Sequence, residues 1–164
     1  MLDRGIKFLK SKGYEVVVNP KGHSFATEKS DVIDEVRGKG FDAILSLLND
    51  KVDAAVFDAA GPQLKIVANY AVGFDNIDLR EAAKRGVMVT NTPDVLSESV
   101  AELTFALMLA IGRRIVEADK YMRAGKYQGW MPSLLLGDDV DHKTLGVLGV
   151  GRIGSLVVRH AVRG

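Results

Sequence analysis

The sequence contains no cysteine. Disulfides and thiolate metal sites are therefore excluded, and the composition fits a reducing cytoplasm. There is no surplus of charge of either sign: 22 basic residues face 21 acidic ones, a formal net charge of +1. Nucleic-acid and membrane-surface binders normally carry a basic excess, so neither partner is expected. Long apolar runs are missing too. The most apolar segment, Val100 to Ile111, is interrupted by Glu102 and Thr104. It is shorter than the about 20 residues a bilayer-spanning helix needs. The start, Met1-Leu-Asp-Arg-Gly, leads into a charged amphipathic stretch and not into the apolar centre of a secretory signal. No repeat or low-complexity tract interrupts the chain. His23, His142 and His160 lack the spacing of a metal site, so no metal is expected.

What is present is the material of a globular domain: 164 residues, 47% hydrophobic and 26% charged. Short apolar, β-branched runs alternate with helical patterns. Strands are expected at Tyr14–Val18, Ala43–Leu47, Leu64–Ala68, Val87–Thr90 and Thr144–Leu148. Helices are expected near Asp3–Lys12, Ser30–Arg37, Lys51–Ala59 and Leu79–Arg85. This alternation is the signature of βαβ units and a parallel sheet, an α/β fold. Gly13 and Gly86 follow two of the helices, where a left-handed residue is wanted. Asp78 stands where it can cap the helix after it.

The segment Thr92 to Ser97 reads as a crossover, opened by the turn chemistry of Asn91-Thr92-Pro93-Asp94. Ser99 and Glu102 match a capping box. A long helix is expected from about Val100 to Met122, its first half apolar on nearly every side and so buried all round. Ser133 to His142 reads as an irregular loop. The chain opens on a helix with no strand before it and stops soon after a glycine loop, so a truncated fragment is expected.

That loop holds the strongest local chemistry. Gly149-Val-Gly151-Arg-Ile-Gly154 is a G-x-G-x-x-G motif after an apolar run and before a helical pattern. Gly149 permits a tight turn, Gly151 lets a pyrophosphate approach the backbone, and Gly154 allows close packing. The following helix offers free N–H groups and the positive end of its dipole to phosphates. A ligand-free strand-to-helix turn accounts for the same glycines. The acidic residue that would select a ribose hydroxyl, about 20 positions further on, falls beyond Gly164. NAD and NADP are therefore not distinguished.

Leu64-Lys-Ile-Val-Ala-Asn-Tyr-Ala-Val-Gly-Phe-Asp-Asn-Ile-Asp78, then Gly86-Val-Met-Val-Thr-Asn-Thr-Pro-Asp94 and Ser99-Val-Ala-Glu102, follow one another in order. Gly125-Lys-Tyr-Gln-Gly-Trp130 and Lys143 to Gly154 complete the run. Together they resemble the D-isomer-specific 2-hydroxyacid dehydrogenases, most of all the glyoxylate/hydroxypyruvate reductases. The resemblance implies a flavodoxin-like parallel-sheet substrate domain over residues 1–97. It implies that 98–164 hold an interdomain and dimerisation helix and the start of a Rossmann cofactor domain. NAD or NADP would be the cofactor, a small 2-oxoacid the substrate, and a homodimer the assembly.

The resemblance also assigns residues. The amides of Val72 and Gly73 would hold the substrate carboxylate, and Leu48 would line the pocket. Val100, Gly149, Gly151, Arg152, Ile153 and Gly154 would contact the cofactor. A structural turn, with Gly73 at positive φ, explains Ala71-Val72-Gly73 without any ligand. Leu47 and Leu48 read equally well as core. Asp75, Asn76 and Asp78 read more simply as capping and turn residues than as acid–base groups. His160 reads as exposed or packed, and Trp130 as a packing anchor. The arginine, carboxylate and histidine with which the family performs hydride and proton transfer have no counterpart here. The chain is thus read as an inactive fragment of an NAD(P)-dependent oxidoreductase. Two rivals are an NAD(H)-sensing interaction module of the same fold and a ligand-free remnant.

Overall fold

The computed structural model describes residues 2–19 and 28–163; His23 lies outside them. The chain divides into two compact units, Met1–Pro93 and Asp94–Gly164.

The first unit is α/β. Its element order is α1 (Leu2–Ser11), α2 (Lys29–Val36), β1 (Ala43–Ser46), α3 (Ala54–Ala60), β2 (Ile66–Asn69), α4 (Leu79–Lys84) and β3 (Met88–Thr90). The strands form a parallel sheet in the order β1-β2-β3. Parallel neighbours need a crossover, and α3 and α4 supply it. The core gathers Val52, Val56, Phe57, Leu64, Val67, Ile77, Ala82 and Val87. Asp78 caps α4 as expected, accepting from the Arg80 and Glu81 N–H groups at 3.0 Å each. Gly13 and Gly86 sit at φ +86° and +66°.

A short bridge lies outside the sheet, where Val52 and Ile77 pair in parallel. The Val52 N–H donates to Asn76 O, and the Asp78 N–H donates to Val52 O, both at 2.8 Å. Val52 is fully buried and Ile77 nearly so.

Two expected strands are not formed. Tyr14–Val18 and Thr144–Leu148 lie in irregular backbone. A strand exists only through the ladder it shares, and among the described residues neither segment has a neighbour to pair with.

The second unit holds α5 (Ser97–Gly112), α6 (Ile115–Arg123) and α7 (Arg152–Arg163). The single helix expected from Val100 to Met122 is therefore broken. Arg114 takes a left-handed conformation, φ +55°. The 137–138 backbone enters the break, where the Asp138 N–H donates to Gly112 O at 2.8 Å. A side chain on Gly137 would overlap that carbonyl and stand 2.9 Å from Arg113 Cα. The loop thus takes a helix-end carbonyl that the next helical turn would otherwise have used.

The capping box is not formed either. The helix starts at Ser97, so Ser99 is already inside it and donates back to Leu96 O at 3.0 Å. Nor is α5 buried all round: Ala101 alone is buried, while Leu103 and Leu107 are each 54% exposed.

Asp53 caps α3 through the Ala55 N–H and is paired with Lys29. The hydrogen bond from the Lys29 ammonium holds the Asp53 carboxyl below its ordinary value of 3.8; it prevails over desolvation, with the Ala55 N–H helping. A lowered folded value means stability that is present above the unfolded value and lost as pH falls through the folded one. The melting temperature should drop as the pH is taken below 3.8, and Asp53→Asn should flatten that drop. A thermal melt series that is equally steep in both proteins would contradict this.

Candidate functional site

Ligands of open parallel sheets bind beyond the carboxyl ends of the strands. In the first unit those ends are Ser46, Asn69 and Thr90, each followed by a loop. The Ala71-Val72-Gly73 turn leaves β2 there. Each of its carbonyls is taken from within the protein. Ala71 O accepts from the Thr92 N–H at 2.9 Å. Val72 O accepts from Asn91 Nδ2 at 2.8 Å, and Gly73 O accepts from Asn69 Nδ2 at 2.9 Å. Among the described residues, the N–H groups of Val72 and Gly73 donate to nothing. Successive peptide N–H groups left free in this way make an anion-binding concavity.

Gly73 is not at positive φ. Space explains its identity instead. A Cβ there would stand 3.2 Å from Asp75 Oδ1 and 3.9 Å from Leu48 Cδ1. Leu48 therefore sits beside the turn, 54% exposed and not part of the core. The nearby Asp75 carboxylate opposes an anion, so two amides alone give a weak site in this chain.

Behind the turn lies a buried polar network. Ser46 and Asn69 are 1% and 2% exposed, the buried polar residues among those described. Parallel register sets Ser46 opposite Asn69, and the Ser46 hydroxyl donates to Asn69 Oδ1 at 2.9 Å. Asn69 Nδ2 also donates to Asn76 Oδ1 at 3.0 Å. Asn76 Nδ2 in turn donates to Leu47 O at 3.1 Å and Asp50 O at 3.0 Å. Asn69 shares its sheet face with Val67, two residues earlier, so it projects toward the core and must find partners there.

In the second unit the glycine loop leads into α7. Gly149 has φ +89°, the conformation its tight turn demands. A Cβ on Gly154 would overlap the Gly149 carbonyl oxygen and stand 3.1 Å from its carbon. Around Gly151, by contrast, no atom lies within 4 Å of a would-be Cβ. The first helical hydrogen bond runs from the Ser155 N–H to Gly151 O at 2.9 Å. Among the described residues the N–H groups of Arg152, Ile153 and Gly154 have no acceptor. Free donors, open space at Gly151 and a helix start together fit a pyrophosphate. Arg152 Nε lies 3.1 Å from Asp94 Oδ1. Val100 is half-buried in the first turns of α5 and accepts from the Thr104 hydroxyl at 2.8 Å.

Comparison with known proteins gives the family of the chain. Residues 2–150 match the D-isomer specific 2-hydroxyacid dehydrogenase, catalytic domain family. The chain belongs to that family. A glyoxylate reductase of Thermococcus onnurineus is 46% identical over 163 residues, which is 97% of this chain and 47% of that enzyme. A protein of Thermus thermophilus superposes with a TM-score of 0.88 at 40% identity, over 98% of this chain and 50% of that one. An Aquifex aeolicus D-lactate dehydrogenase, solved with NAD and lactic acid, gives 0.77 at 28% identity, over 98% and 46%. The chain thus spans about half the length of its relatives. Members of the family bind NAD or NADP.

Within this chain, the structure gathers Leu48, Val72 and Gly73 at one end of the sheet. It gathers Gly149, Gly151, Arg152, Ile153 and Gly154 around the start of α7. Val100 lies on α5. Asn76 and Asp78 serve the turn and the helix cap, as the simpler reading has it. His160 packs edge-on against Phe105, 6.2 Å between centroids, and lies 3.0 Å from Glu98. Hydrogen bonding to His160, then the charge of Arg159, holds the Glu98 carboxyl below its ordinary range. Trp130 is 80% exposed and not a buried packing anchor. Sequence reasoning read Asn91 only as turn chemistry and missed Asn69 together with its link to Ser46. An asparagine ending an apolar strand was the available signal, since strands disfavour it. Among the described residues no three His, Asp or Glu side chains converge as a metal site would require. No described helix is long and apolar enough to cross a membrane.

Proposed function

We propose that this chain carries the acid-binding turn and the cofactor loop of a cytoplasmic NAD(P)-dependent oxidoreductase. Its reaction is the reduction of glyoxylate, hydroxypyruvate or a similar 2-oxoacid to the D-2-hydroxyacid. The observation that carries this reading is the Ala71-Val72-Gly73 turn. Its carbonyls are engaged by the protein and its Val72 and Gly73 amides are left for a ligand. A carboxylate is the ligand such amides favour.

On this reading residues 1–97 form a flavodoxin-like substrate domain, and 98–164 the helical junction and opening of a Rossmann cofactor domain. Val72 and Gly73 hold the substrate carboxylate while Leu48 borders its pocket. Gly149, Gly151, Arg152, Ile153 and Gly154 hold the cofactor's phosphates, and Val100 faces the cofactor. The nicotinamide, when bound, supplies the hydride. The apolar surface of α5, with Leu103, Leu107 and Ile111 exposed, supports a homodimer.

The family's cationic, carboxylate and histidine groups have no counterpart among these 164 residues. The polypeptide alone should therefore leave NADH and NADPH unoxidised in the presence of glyoxylate or hydroxypyruvate. Loss of absorbance at a rate above the enzyme-free control would refute this. The function itself is tested by fusing the chain to the complementary half of the Thermococcus onnurineus reductase. Glyoxylate-dependent oxidation of NADH or NADPH is expected, and a folded but inert fusion would sink the reading.

A further inference from the structure

We propose that Asn91 is a positioning residue that aims the Gly73 N–H at the substrate carboxylate. The inference rests on the carboxylate-binding role just assigned to the turn. A trans peptide is planar, and its C=O and N–H point in opposite directions. The Gly73 N–H shares a peptide with Val72 O, and Asn91 Nδ2 grips that oxygen at 2.8 Å. The Val72 N–H shares a peptide with Ala71 O, which the Thr92 backbone N–H grips at 2.9 Å. Each free amide is thus aimed by a hydrogen bond to the far end of its own peptide. One of those bonds belongs to the backbone and the other to a replaceable side chain.

The amide of Asn91 is the right chemical group for this work. Val72 O can only accept, so the side-chain nitrogen must face it, which fixes the orientation of the carboxamide. Asn91 follows β3, whose pairing with β2 sets Ala68 beside Thr90. The sheet register therefore delivers the side chain to the turn. On the inner side, Asn69 Nδ2 holds Gly73 O at 2.9 Å, so the two peptides flanking Gly73 are both held. Asn91 is half-buried and outside the apolar core, so its replacement should leave the fold intact. A carboxylate at the same position has no proton to donate. Asn91→Asp would set an acceptor against an acceptor and release the peptide between Val72 and Gly73.

The test is a glyoxylate titration of the 164-residue chain followed at individual backbone amides by nuclear magnetic resonance. The wild type should shift its Val72 and Gly73 amides together and saturably. Asn91→Ala should bind glyoxylate about five- to tenfold more weakly, the worth of one hydrogen bond. Its Gly73 amide should move already without ligand, while Val72, held by the backbone of Thr92, moves much less. Asn91→Asp should weaken binding at least as much, and its near-identical size keeps the test valid if the alanine variant does not fold. Equal affinity and an unmoved Gly73 amide in a folded variant would overturn the role of Asn91 alone. A wild type whose Val72 and Gly73 amides ignore glyoxylate would overturn the carboxylate reading, and this inference with it.

Discussion

Replacing Gly154 with alanine should lower the melting temperature and weaken NADH binding together. The added methyl would overlap the Gly149 carbonyl, so α7 and the loop must separate. Overpacking of this kind costs on the order of 1–3 kcal/mol. The separation also disperses the free N–H groups of Arg152, Ile153 and Gly154, which must converge to hold phosphates. Binding of NADH by this chain is expected to be weak, since among the described residues no strand pairs beneath the loop, and half-supported sites lose preorganisation. Saturation-transfer resonance detects such binding, and Gly154→Ala should reduce it by about tenfold or more. Gly151→Ala is the informative control. Open space surrounds that position, so the melting temperature should hold while the methyl intrudes on the phosphates. Equal melting losses in the two variants would contradict the open space at Gly151, and NADH binding unchanged in Gly151→Ala would contradict its place beside the phosphates.

The largest loss of stability is expected from Phe57→Ala. Phe57 is 2% exposed and the sole aromatic side chain in the described core of the first unit. Its neighbours there are mostly valine and alanine, too small to close over the space left behind. Truncations of this type cost about 3–5 kcal/mol. Whole domains are stable by only about 5–15 kcal/mol, so the loss is a large fraction of the total. The Arg85 guanidinium, 5.7 Å from the ring centroid, would lose its aromatic face as well. Urea denaturation should show the midpoint for the first unit falling sharply or vanishing. Phe57→Leu, which refills most of the volume, should recover the greater part. A midpoint unchanged in the alanine variant would mean the ring is not a core residue in solution.

The local parts of this architecture were readable from residues. Glycines after α1 and α4, the Asp78 cap and the β-branched runs of β1, β2 and β3 each carry their signal within a few positions. Relations between distant residues were not readable in this way. Thr144–Leu148 has the composition of a strand, yet composition says nothing about whether a neighbour lies alongside. The break between α5 and α6 is driven by Asp138, far along the chain, reaching back to Gly112 O. No proline marks the place, and the helical pattern runs straight through it. The glycines of the second unit showed their positions, while the structure alone separated turn-making Gly149, tightly packed Gly154 and unobstructed Gly151. At the Ala71-Val72-Gly73 turn, the acid-binding role of Val72 and Gly73 came from family resemblance alone. The residues that hold them, Asn69 and Asn91, emerge only once the strands are in register.

The Val52–Ile77 bridge has a consequence for how such a protein can change. It moors the downstream end of the Ala71-Val72-Gly73 turn to the hydrophobic interior, as β2 moors the upstream end. If the turn docks a carboxylate as proposed, substitutions on its rim would alter which acid is preferred, but not where its charged end docks. Relocating that dock would demand repacking around a valine with no solvent exposure. On that reading, evolution is offered freedom in the tail of the substrate and rigidity at its head.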